Sequence, residues 1–211
     1  MQIAIVLYPN FTALDAVGPY EILSRLPGAE TVFVAEQAGP VLNDQSQLSI
    51  VATKTFAEVT RPDIVLVPGG PGQENQMENG ALLDWLRAVD ATTTWTTSVC
   101  TGSLALAAAG LLKGRRATSH WLALEVLAGL GVEATGERVV VDGKYVTAAG
   151  VSSGIDMGLT LVGKIAGERA AQTIQLLTEY DPQPPYDAGS PEKAPADIVE
   201  YWRANSRHAN N

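Results

Sequence analysis

The chain contains one cysteine, and its place in the sequence suits chemistry better than packing. Cys100 lies in Ser98-Val99-Cys100-Thr101-Gly102, between a strand-like run ending at Val99 and a small-residue helical pattern opening at Gly102. A lone cysteine is ordinarily an inert core residue. So short a connection, however, forces residue 100 to the carboxyl end of the sheet and the start of the next helix, as in the elbow that presents a serine in α/β-hydrolases. Ser98 and Gly102 are small enough to let strand and helix approach each other. Unpaired N–H groups and partial positive charge at a helix start favour thiolate, so a nucleophile with a lowered pKa is expected. A single cysteine also excludes an intrachain disulfide and a cysteine-rich zinc site.

A nucleophile needs a proton partner, and candidates are few. His120 and His208 are the two histidines, and His208 sits in a polar tail. A Cys-His-Glu triad could therefore use only His120. That residue precedes a predicted helix, in Ala117-Thr118-Ser119-His120-Trp121, where hydrogen bonding at the helix start is as good a reading as catalysis. Asp15, in Leu14-Asp15-Ala16-Val17-Gly18-Pro19, is a carboxylate set among apolar residues after the first strand. It reads either as a helix N-cap or as an acid-base group.

These residues need a scaffold, and apolar runs alternate with helical patterns along the chain. Ile3 to Leu7, Thr31 to Ala35, Leu48 to Ala52, Ile64 to Val67 and Thr93 to Val99 read as strands. Helices are expected over Val17 to Leu26, Ala81 to Ala91, Gly102 to Leu112, Trp121 to Leu130, Ser152 to Ile165 and Ala170 to Tyr180. The order implies an α/β sandwich with a mostly parallel central sheet. Asp142-Gly143, between the β-rich arms Val139–Val141 and Lys144–Thr147, adds one antiparallel hairpin. The first βα turn, Tyr8-Pro9-Asn10-Phe11-Thr12, has no G-x-G-x-x-G, and Pro68-Gly69-Gly70-Pro71-Gly72 lacks the lysine ending of a phosphate loop. Nucleotide binding is thus not indicated. The glycine turn reads either as a plain turn or as backbone making room for a ligand beyond the strand ends.

At 211 residues and 46% hydrophobic, the chain suits one domain with a sizeable core. Five prolines between Pro182 and Pro195 mark an extended segment, 181–195, followed by a short terminal helix over Ala196 to Ser206. That segment is expected to lie over its own domain or over a partner subunit. The net charge of −9 argues against a nucleic-acid partner, and no apolar run is long enough for a transmembrane helix. The first residues run straight into a strand pattern, without the basic start of a secretory signal, so the cytoplasm is the expected compartment.

Several of these motifs occur, in the same order, in the ThiJ/PfpI superfamily, which the chain resembles. They are Leu14-Asp15-Ala16-Val17-Gly18-Pro19, Val67-Pro68-Gly69-Gly70, Thr97 to Ser103, Gly114 to Trp121 and Gly150 to Asp156. Within the superfamily the likeness is greatest to the isocyanide hydratases, and it extends from Ile3 through Pro191. The resemblance implies a flavodoxin-like domain, a homodimer, and a lyase that needs no metal or organic cofactor. Its substrate would be a small organic isocyanide, hydrated to an N-substituted formamide. Residue by residue, Cys100 matches the nucleophile and Asp15 the neighbouring acid. The backbone N–H groups of Thr101 and Gly70 would bind an anion. Val17 and Val151 are apolar and read either as lining the pocket for the substituent or as core. Thr101 stands where the protease-like branch has histidine, which demotes peptide hydrolysis. Two other readings follow from the same likeness: a glyoxalase-type or stress-response enzyme, and the ligand domain of a regulator. Regulators of that kind continue into a helix-turn-helix domain, for which too few residues are expected to remain here.

Overall fold

The computed structural model describes residues 1–78 and 80–208. The strands are β1 (Gln2–Val6), β2 (Glu30–Ala35), β3 (Gly39–Leu42), β4 (Ser49–Ala52), β5 (Lys54–Thr55), β6 (Ile64–Val67), β7 (Trp95–Val99), β8 (Arg116–Ala117), β9 (Glu133–Ala134), β10 (Val139–Asp142) and β11 (Tyr145–Ala148). The α-helices are α1 (Ala13–Leu23), α2 (Ala81–Asp90), α3 (Gly102–Ala108), α4 (Leu124–Gly129), α5 (Ser153–Ala166), α6 (Glu168–Leu177) and α7 (Ala196–Asn205). Seven strands form the central sheet in the order β10-β11-β7-β6-β1-β2-β5. Its pairings are parallel except for the β10–β11 hairpin, which turns at Asp142 and Tyr145 where the Asp-Gly signal placed it.

The burial explains the pattern. Ile3 to Val6 in β1 and all of β6 are without solvent exposure, as inner strands covered on both faces must be. From β1 the chain steps one way to β2 and, on the other side of β1, from β6 to β7. Right-handed crossovers therefore place α1 and α2 on opposite faces, and the reversal opens a crevice beyond the carboxyl ends of β1 and β6. On one face, glycines let α1 and α5 approach closely. A Cβ at Gly158 would stand 2.9 Å from Ile22, and one at Gly154 would stand 3.0 Å from both Pro19 and Val99.

Three expectations change. Helix α1 opens at Ala13, four residues ahead of the predicted Val17, because Gly18-Pro19 punctuates the sequence without ending the helix. The proline removes the N–H that would have bonded the Asp15 carbonyl, and the helix continues past that gap. The predicted strand 48–52 does not join the central sheet. As β4 it pairs antiparallel with β3 in a separate two-stranded ribbon, and Val51 is left 55% exposed. The predicted helix 121–130 is a 3₁₀ turn over Trp121–Ala123 followed by α4. The proline segment 181–195 has neither helix nor strand, and α7 follows it as expected, ending one residue short at Asn205.

Candidate active site

Cys100 occupies the single-residue corner between β7 and Thr101, which caps α3, with φ of 58°. For a cysteine this left-handed conformation costs on the order of 1 kcal/mol or more. It is held from both sides. The Cys100 N–H is shared between the carbonyls of Ala148 (3.0 Å) and Ala149 (2.9 Å), while its own carbonyl accepts from the hydroxyls of Ser103 (3.2 Å) and Ser119 (3.0 Å). Gly102 is obligatory here, since a Cβ would lie 2.1 Å from the Val67 carbonyl oxygen.

Asp15 is fully buried in the first turn of α1, where Thr12 holds the N-cap position. Its Oδ2 accepts from the Gly69 N–H at 2.9 Å, and its Oδ1 has no hydrogen-bond donor. Burial raises the carboxyl pKa to about 7, and the Gly69 N–H and the Cys100 thiol offset part of that rise. The expectation of a lowered cysteine pKa is reversed. Burial, and then the Asp15 carboxylate, push the Cys100 thiol well above its usual value. The N–H groups of Thr101 and Val151 and the Arg207 charge counter only part of this. The helix-end effect is present, but desolvation is larger. A thiolate here requires a base, and the adjacent base is Asp15.

The turn after β6 completes this side of the site. Tyr8 donates its hydroxyl to the Pro68 carbonyl at 2.6 Å and so fixes the Pro-Gly-Gly backbone. The Gly70 N–H, expected to face an anion, donates instead to Thr101 Oγ1 at 3.1 Å. Cys100, Thr101, Gly70, Val151, His120 and Leu122 line a cleft of about 430 Å³. Val151 is itself at a positive φ of 26°. Val17 is not brought to this cleft; it faces a separate groove with Leu14, Ile155 and Tyr180. His120 caps the 3₁₀ turn, its Nδ1 accepting from the Leu122 N–H at 3.3 Å, and burial lowers its pKa to about 4. It is therefore a neutral imidazole at pH 7.

The far wall of the cleft was not foreseen. Trp202, Asn205, Arg207 and His208 come from α7 and the residues just after it, so this tail crosses its own domain at the site. Asp44, from the turn of the β3–β4 ribbon, also lines the cleft and accepts from the Thr12 hydroxyl at 2.8 Å. No motif announces these residues. Among the described residues, no three His, Cys, Asp or Glu side chains converge as a metal-ligand cluster, and no helix is long and apolar enough to cross a membrane.

A parallel sheet that carries a cysteine on a strained elbow beside a buried acid defines a class of protein, and comparison with known proteins agrees with it. The model of the DJ-1/PfpI family matches residues 1–164, and the chain belongs to that family. Over 203 residues it is 42% identical to the isonitrile hydratase of Pseudomonas putida, covering 96% of this chain and 89% of that protein. A ThiJ/PfpI family protein from Pseudomonas syringae has a solved structure that superposes with a TM-score of 0.93. Its identity is 40%, covering 99% of this chain and 88% of that one. The HTH-type transcriptional regulator CdhR of Pseudomonas aeruginosa is 30% identical over 173 residues, which make up 51% of its length.

Proposed function

We propose that this protein is an isocyanide hydratase, adding water to an organic isocyanide to give an N-substituted formamide. The observation that carries the reading is the Cys100–Asp15 pair, in a chain 42% identical over nearly its whole length to an isonitrile hydratase. Burial holds the Cys100 thiol protonated at rest, so its proton is given up only as sulfur bonds to carbon, and a neighbouring carboxyl that titrates near 7 can take that proton and return it. Ionised Asp15 takes the Cys100 proton as sulfur attacks the terminal isocyanide carbon. The carbanion that forms is protonated by Asp15, giving the thioimidate R–N=CH–S–Cys100. Asp15, ionised again, draws a proton from water as its oxygen adds to the same carbon, and that proton passes to nitrogen. The tetrahedral species R–NH–CH(OH)–S–Cys100 loses its hydroxyl proton to Asp15. The C–S bond then breaks, the formamide departs, and Asp15 returns the proton to sulfur. Every step uses these two side chains and water, with no cofactor. Thr101 and Val151 supply N–H groups around sulfur, and the Val151 and Leu122 side chains face the substituent. Purified protein mixed with an aliphatic isocyanide is expected to produce the formamide stoichiometrically. Consumption of the isocyanide without formamide would reject the reading.

The homodimer belongs to the same proposal. Leu14 on α1 is 42% exposed, Leu42 and Leu48 on and beside the β3–β4 ribbon are about half exposed, and the bridge between Phe11 and Asn43 brings these elements together. With Val17 they offer a second copy one apolar surface. Sedimentation at micromolar concentration is expected to give twice the 22.2 kDa chain mass; a mass of one chain would refute this.

A further inference from the structure

Arg207 is separated from Thr101 by 106 residues and from Gly70 by 137, yet its guanidinium reaches both. Nη1 donates to the Gly70 carbonyl at 3.0 Å and Nη2 to Thr101 Oγ1 at 3.2 Å. Nε lies 3.5 Å from Glu74 Oε1 and 3.2 Å from His208 Nε2, so the head group is anchored on its outer side as well. A threonine hydroxyl has two lone pairs and one proton. Both lone pairs of Thr101 Oγ1 are engaged, one by the Gly70 N–H at 3.1 Å and the other by Arg207. Its proton is left free to be donated, and Thr101 lines the cleft beside Cys100.

We infer that Arg207 is a positioning residue: reaching back from the tail, it makes the Thr101 hydroxyl an obligate donor to the substrate nitrogen. This rests on the hydratase reading and adds a part to it. In the thioimidate, nitrogen carries a lone pair, and a hydrogen bond to that lone pair draws electron density from the carbon that water must attack. Without the guanidinium, a Thr101 lone pair is vacant and the hydroxyl is free to rotate away from nitrogen. With it, the donor orientation is set before substrate arrives, and no reorganisation is needed in the transition state. Arg207 touches no reacting atom; its charge offsets only a minor part of the rise in the Cys100 pKa, and its hydrogen bonding acts on the reaction through Thr101.

The test is a double-mutant cycle on isocyanide hydration, read as kcat and KM separately. Arg207→Met is expected to lower kcat about tenfold with KM changed less than about twofold, the size of one misoriented hydrogen bond. Thr101→Val is expected to lower kcat at least as much. In the Thr101→Val background, Arg207→Met should cost less than about a further twofold, because the group it orients is already gone. Arg207→Lys should recover part of the loss, since one ammonium is not a fork matched to both acceptors. A tail that served only as packing would instead change KM or stability, and by equal factors in both backgrounds. Wild-type kcat in Arg207→Met, or losses that multiply in the double variant, would overturn the inference while leaving the hydratase reading intact. If the wild-type protein forms no formamide, the reading itself fails and the inference falls with it.

Discussion

Cys100→Ala is expected to reduce formamide production to the uncatalysed background while the protein stays folded. In the proposed route sulfur forms and breaks the bond to the isocyanide carbon, so no other side chain in the cleft can substitute for it. The fold has little to lose. The side chain is small, and its backbone is held by the carbonyls of Ala148 and Ala149 and the hydroxyls of Ser103 and Ser119, which do not contact sulfur. Alanine meets about the same cost at φ 58° as cysteine does. Thermal stability should therefore stay within about 1 kcal/mol of wild type, with the sheet intact by circular dichroism. Cys100→Ser should be equally inactive, because a hydroxyl gives up its proton to Asp15 far less readily than a thiol does. Turnover by folded Cys100→Ala above a few per cent of wild type would refute covalent catalysis at this position.

The elbow was legible because its constraints are local. A strand, one residue and a helix leave residue 100 nowhere else to be, and the glycine two residues on is needed at any such corner. The parallel sheet was equally legible, since β1 and β6 are apolar on consecutive residues and only strands covered on both faces are built so. The misreadings each concern a quantity that spacing does not carry. Val17 stands two residues from Asp15 in α1, and residues two apart on a helix point to different faces, so once α1 began at Ala13 the buried Asp15 turned toward the elbow and Val17 toward a separate groove. The sign of the Cys100 shift depends on burial and on the closeness of Asp15, 85 positions away in sequence, whereas the helix end that argued the other way is visible in the sequence itself. The exposed Val51 shows β4 as half solvated, yet a short run with four apolar residues in five reads the same whether it joins the sheet or lies beside it. Arg207 carries no signal at all. Its role exists only because α7 returns over the cleft, and a proline-rich connection fixes no direction of return.

Asp15→Asn separates the structural from the chemical role of this carboxyl, because the change is nearly isosteric. Asparagine Oδ1 can still accept the Gly69 N–H, and the helix cap is Thr12, so neither packing nor capping explains a loss of activity. Without a group that can take and return a proton, turnover is expected to fall by about two to four orders of magnitude. In the wild type, kcat/KM should rise with pH through about 7, where Asp15 becomes able to accept the thiol proton, and this limb should be missing in the variant. Stability should move the other way. The folded protein holds the Asp15 proton more tightly than the unfolded chain does, with a pKa of about 7 against 3.8. Below pH 4 both states are protonated and the group costs nothing. As pH rises from 4 to 7 the unfolded chain ionises first, so wild-type stability falls at roughly 1.4 kcal/mol per pH unit from this residue alone. Above 7 the cost levels off at a few kcal/mol. Asp15→Asn never pays it, and should be the more stable protein at pH 8, with an advantage that shrinks as pH approaches 4 in urea titrations. A variant that is both inactive and stabilised in this way would identify Asp15 as a carboxyl kept at the fold's expense for its proton. Near-normal turnover with the wild-type pH profile would remove Asp15 from the reaction and leave the Cys100 proton without an acceptor.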